Sequence, residues 1–115
     1  MRRLALIGWL IAAPACAQGF LDRIPDLPLM SGLEEVPADG FLFDNPSGRI
    51  VEAVATGKVD PGAVTSFYRT TLAELGWTPA GGALAFRREG ERLAIRIEGA
   101  GPARTVRFTI TPDAQ

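Results

Sequence analysis

Arg87, Arg92, Arg96 and Arg107 occupy the polar phase of a run of alternating residues, with Glu98, Thr105 and Thr109 among them. A guanidinium is a planar fork of N–H donors that matches carboxylate and phosphate oxygens. The chemistry open to this row is anion binding, with a lipid headgroup or an acidic polymer as the ligand. An ordinary solvated sheet face explains the same residues, because antiparallel sheets commonly leave one side in water. Arg87 is expected directly across from Arg92, a like-charge pairing that costs roughly a few tenths of a kcal/mol. An anion would relieve it. So would Asp22 and Asp26, if the N-terminal arm that carries them reached across this face.

The other reactive side chains exclude more than they offer. There is no histidine, and Cys16 is the sole cysteine. Zinc ligation, thiol catalysis and Ser-His-Asp triads therefore have no residues to run on once the leader is cleaved, and no cofactor is implied. The serines are Ser31, Ser47 and Ser66, and Lys58 is the only lysine, so a Ser-Lys pair has no motif behind it. Gly99-Ala-Gly101 lacks the strand–loop–helix setting of a phosphate loop. Glycosidase chemistry needs two facing carboxylates; Glu34, Glu35, Asp39 and Asp44 lie in irregular segments with nothing to bring two together. Tyr68 and Trp77 fit core positions better than a ligand cage.

The element that must position these residues is clearest between Val59 and Trp77. Asp60 is an N-cap, Pro61 suits N1, and Val59 and Val64 stand where a hydrophobic staple would close. Val64, Phe67, Tyr68, Thr71, Leu72 and Leu75 recur at helical spacing and make one face. Gly76 suits a left-handed stop, with Trp77 folding back onto Leu72. The spacing predicts an amphipathic helix over 61–75.

Strands surround it. Phe41–Phe43 and Arg49–Thr56 flank the turn-rich Asp44-Asn-Pro-Ser-Gly48 and read as a hairpin. After the helix come a short strand at Trp77-Thr78, stopped by Pro79, and strands at 83–88, 92–98 and 104–111. Glu89-Gly90 is a two-residue turn needing positive φ. It sets Phe86 opposite Leu93, Leu84 opposite Ile95, and Ala85 opposite Ala94. In the next hairpin Ile97 meets either Val106 or Phe108, and both registers bring Glu98 to Arg107.

Residues 1–17 read as a signal peptide: Arg2 and Arg3 precede an apolar run that ends in Ala15-Cys-Ala17. The run is too short to span a bilayer. Cleavage after Ala17 gives an exported, periplasmic protein; the alternative is a lipoprotein anchored through Cys16. Removing Arg2 and Arg3 takes 12 basic residues to 10 against 13 acidic ones, a net charge of −3. That balance disfavours sequence-independent nucleic-acid binding. Residues 18–40 form an extended, Pro-rich arm, too apolar for a solvated linker. It either covers part of the core or docks a partner. Residues 41–115 make a single domain, and no transmembrane segment remains after processing.

Phe67-Tyr68-x-x-x-Leu72-x-x-Leu75-Gly76-Trp77, the Arg-rich hairpins after it, Ile24-Pro-Asp-Leu-Pro28 and Phe43-Asp44…Gly48-Arg-Ile50 resemble a family of small exported bacterial domains. The resemblance covers nearly all of the mature chain and carries no activity or site residue with it. The expected fold is α+β: one helix on one face of an antiparallel sheet of four to six strands, in the order ββα and then a β-meander. The expected role is a non-catalytic periplasmic binding or accessory module of the cell envelope, with an envelope protein or an anionic lipid or polymer as partner. The alternatives are a small enzyme using Arg and carboxylate residues on an anionic substrate, and an inhibitor of an envelope hydrolase.

Overall fold

The structure, a computed structural model, describes residues 19–113. The expected signal segment, Cys16 included, lies outside them. Seven strands form one antiparallel sheet: β1 (Glu34–Glu35), β2 (Phe41–Asn45), β3 (Gly48–Lys58), β4 (Thr78–Pro79), β5 (Ala85–Arg88), β6 (Glu91–Glu98) and β7 (Ala103–Pro112). One helix, α1 (Pro61–Glu74), joins β3 to β4, and a single 3-10 turn covers Pro37–Asp39. In space the strands run β1-β3-β7-β6-β5-β4, with β2 also on β3.

This corrects the expected fold. The sheet dominates, it has seven strands rather than four to six, and the chain order is βββα before the meander. The unforeseen strand is β1, whose Glu34 and Glu35 pair with Thr56 and Ala55. Two acidic residues near prolines carry no strand signal of their own. They are recruited by β3, which is 11 residues long and is met by β2 only as far as Glu52. Pro79, expected to stop β4, belongs to it; at a sheet edge its missing N–H costs no ladder bond.

The helix forms for the local reasons its sequence displays. The Asp60 carboxylate accepts from the Ala63 N–H at 3.0 Å. At the other end Trp77 N–H donates to Leu72 C=O and Gly76 N–H to Ala73 C=O, which closes a Schellman stop. Gly76 makes that turn possible, at φ 93°. Val64, Tyr68 and Leu72 are buried, while Leu75, at the end of the stripe, is 39% exposed.

The core lies between this helix and the inner sheet face. Val51, Ala53 and Ala55 of β3, Val106, Phe108 and Ile110 of β7, Leu93 and Ile95 of β6 and Phe86 of β5 line it. The arm completes it: Leu21, Ile24, Leu27 and Leu33 are all buried in the same cluster. Tyr68 ties the arm down, donating to Pro28 C=O at 2.8 Å and accepting from Met30 N–H at 3.0 Å. At the arm's end the backbones nearly touch. A Cβ on Gly57 would fall 1.9 Å from the Gly32 oxygen, so only glycine fits there.

The expected registers are observed where they can be compared. Phe86, Ala85 and Arg87 face Leu93, Ala94 and Arg92, with Glu89 and Gly90 at positive φ between the strands. The longer loop of the next hairpin resolves to Ile97 opposite Val106.

Candidate functional site

The register sends Arg87, Arg92, Arg96 and Arg107 to the outer face of the sheet, away from α1. On that face Arg96 lies directly opposite Arg107 across β6 and β7, and Arg87 lies opposite Arg92 across β5 and β6. The Arg96–Arg107 pair is bridged by a carboxylate. Arg107 Nε donates to Glu98 at 2.9 Å and its Nη1 to Glu52 at 3.2 Å. Arg96 Nε donates to the other Glu98 oxygen at 3.1 Å, and Thr109 Oγ1 lies 3.4 Å from Glu52 Oε1. A chain of charge-assisted bonds thus crosses β6, β7 and β3. The hydrogen bond from Arg107 holds the Glu98 carboxyl below the usual carboxylate range, and Glu98 in turn raises the Arg107 guanidinium.

The other two members of the row are engaged separately. Arg87 pairs with Asp113 at 2.8 Å, and Arg92 donates to Ala80 C=O at 3.1 Å. Asp22 and Asp26 do not reach this face. The arm lies on the inner side, where Asp26 meets Arg88 and the Asp22 N–H donates to Glu35. An incoming anion would therefore compete with carboxylates already in place. Arg96 is the most open of the charged pairs, its side chain 71% exposed.

Arg88 is a residue that reading for outward arginines passes over. It shares the phase of Phe86, so it points inward, and its guanidinium lies 4.4 Å over the Trp77 ring. It also donates to Leu75 C=O at the helix end and to Asp26 on the arm. Its alternation with Phe86 was the available signal. Arg49 has a similar place near β2: it makes a two-pronged pair with Glu91 at 2.8 and 3.0 Å, and that hydrogen bonding raises its pKa.

The second feature missed in sequence is apolar. Phe41, Leu42 and Phe43 of β2 are 47%, 55% and 59% exposed. Phe41 and Phe43 face outward, opposite Glu52 and Ile50, and Leu42 faces inward, opposite Val51. Three apolar residues in succession on a strand must put at least one on each face, which was the warning in the sequence.

Two hollows accompany these surfaces. One, of about 520 Å³, opens between the arm and β2 and is lined by Asp22, Arg23, Pro25, Pro37, Leu42 and Arg49. A smaller one of about 180 Å³ lies beside Arg69, Trp77, Pro79 and Phe86. Neither brings two carboxylates together. Among the described residues no three acidic, Cys or His side chains gather as a metal site requires, and no helix is long and apolar enough to cross a membrane. Comparison with protein-family models, curated proteins and solved structures finds no match.

Proposed function

We propose that this protein is a non-catalytic, exported binding or accessory module of the cell envelope, which docks another envelope component on the uncovered face of its sheet. The observation that carries this reading is the group Phe41 and Phe43, about half exposed on that face beside the Arg107–Glu98–Glu52 chain. Large apolar side chains left together at a surface, rimmed by polar groups, mark interaction sites. The charged chain beside them supplies orientation rather than affinity, since exposed ion pairs contribute little.

An ultraviolet-reactive phenylalanine analogue at position 43, in cells that make the protein, tests the docking face. A discrete adduct whose added mass is not that of a second copy is expected from position 43 and not from Thr65 on the helix. Equal labelling from both positions, or none from 43, would overturn the reading.

The open position of Arg96 favours a second reading, in which the outer row binds an anionic lipid or polymer. Binding to acidic vesicles would then weaken as salt rises, because the Debye length shrinks to about 8 Å at physiological ionic strength. Arg96→Gln would weaken it further. An inhibitor of an envelope hydrolase would have to insert a hairpin loop rather than the Pro-rich arm, because Leu21, Ile24 and Leu27 are buried in the core.

A further inference from the structure

Three strands offer an open edge, and two of them are blunted by devices usual at sheet edges. β4 is two residues long and contains Pro79, and β1 is two residues long and wholly acidic. β2 is different. It is five residues long and begins with three large apolar side chains, all exposed.

Half of the β2 backbone also lacks a partner. The two-residue turn at Pro46-Ser47 makes Asn45 and Gly48 a hydrogen-bonded pair, so Asn45, Phe43 and Phe41 bond to β3. The same phase continues along β3, where Val54 C=O accepts from Val36 N–H. The N–H and C=O groups of Leu42 and Asp44 therefore point away from β3. Among the described residues no strand pairs with β2 on that side.

From this geometry we propose that β2 pairs antiparallel with β2 of a second copy, about a two-fold axis at Leu42, joining two sheets into one. The apolar pattern selects the register. With the axis at Leu42, Phe41 meets the second copy's Phe43, the two Leu42 side chains meet, and Asp44 falls opposite Gly40. Four phenylalanines then share the outer face and two leucines the inner one. Moving the axis to Phe43 would set Leu42 against Asp44 and Phe41 against Asn45. Leu42 carries free N–H and C=O groups, and in the Leu42 register they face those of the second copy's Leu42, while the Gly40 N–H opposite Asp44 already donates to Pro37 C=O. The apolar side chains, not the backbone, choose between the two registers. The strand is its own complement, as an isologous contact requires.

The size of the contact sets its strength. Six aromatic or aliphatic side chains, each about half exposed, bring together about 600 Å² of apolar surface. With the backbone added, this stays at the low end of specific interfaces, which begin near 1,200 Å². The dimer is accordingly reversible and concentration-dependent rather than obligate. It goes beyond the binding reading and does not require it.

Sedimentation equilibrium of the exported protein, from micromolar to millimolar concentration, tests the pairing. The average mass is expected to climb from one chain toward two. Leu42→Lys and Leu42→Glu should each stay monomeric with unchanged circular dichroism, because the side chain is exposed. Mixing the two variants should restore the dimer, since only the Leu42 register sets position 42 against itself. A wild-type monomer throughout, undiminished association of Leu42→Lys alone, or a mixture that stays monomeric would each overturn the proposal. A monomer that still cross-links another component through position 43 would end the self-pairing and leave the binding reading standing.

Discussion

The two faces of this sheet are held by different physics. The inner face is dry: β3, β7, β6 and β5 meet α1 and the arm through residues such as Phe108, Tyr68 and Leu27, all without exposure. Polar contacts ring this dry centre: the Tyr68 hydroxyl between Pro28 and Met30, Arg88 on Asp26, and Arg49 on Glu91. On the outer face Val54 is buried, and charge balance organises the neighbouring surface through Arg96, Glu98, Arg107 and Glu52. Apolar burial contributes about 25 cal/mol for each Å² removed from water, whereas exposed ion pairs contribute little. Stability should therefore reside almost wholly on one side, leaving the other free to change.

The largest expected effect falls where the inner layer is anchored. Trp77→Ala should lower unfolding free energy by about 3–5 kcal/mol, as large aromatic truncations in cores do. Trp77 is 2% exposed and lies under the Arg88 guanidinium. Urea titration followed by circular dichroism measures the loss, and a value below about 1 kcal/mol would erase the contrast between the faces.

Next comes the clamp on the arm. Tyr68→Phe should cost about 1–3 kcal/mol, because it strands one donor and one acceptor on the arm. Burial pushes the Tyr68 hydroxyl up to about 12. Its folded pKa is raised, so the stability linked to it is full below the ordinary value of about 10 and is lost as pH climbs through the folded one. Tyr68 is the only tyrosine, so phenolate absorbance reports it alone. Ordinary titration near 10 in folded protein would mean that the clamp is open.

The smallest effect belongs to the outer face. Glu98 is held below its ordinary range, chiefly by the hydrogen bond from Arg107. Its stabilising contribution is therefore present above about 4.3 and is lost as pH falls through the lower folded value. In Arg107→Gln the Glu98 titration, followed by nuclear magnetic resonance, should move back up while the thermal midpoint barely shifts. A large drop in midpoint would make the network a structural member, and the two faces would no longer divide the labour.

Local chemistry was legible in the sequence and non-local pairing was not. Asp60, Pro61, Gly76 and Trp77 mark the helix because caps and stops act within a few residues. Glu89-Gly90 set the β5–β6 register because a two-residue turn leaves no slack. The loop at 99–102 left two registers for β6 and β7, and the observed one needs the three-dimensional fit. The meeting of β3 with β7 is further from reach, since α1 carries the chain across the sheet before the meander returns. That pairing brings Glu52 beside Arg107. Thus the outward phase of the arginine row could be read from alternation, while one of its partners could not. The same holds for Phe41–Phe43: their hairpin was visible, but their exposure depends on what covers that end of the sheet.

The arm has a further consequence when viewed as a ligand that is covalently attached to its own receptor. Leu21, Ile24 and Leu27 are held in the groove beside α1, and Glu34 joins the arm directly to the sheet. Short tethers of this kind impose effective concentrations in the millimolar range. When the arm lifts, its return is unimolecular and does not depend on how dilute the protein is. A free peptide with the arm's sequence at micromolar concentration would lose to the tethered copy by about a thousandfold. Dilution, which would separate two copies joined at β2, leaves this closure untouched.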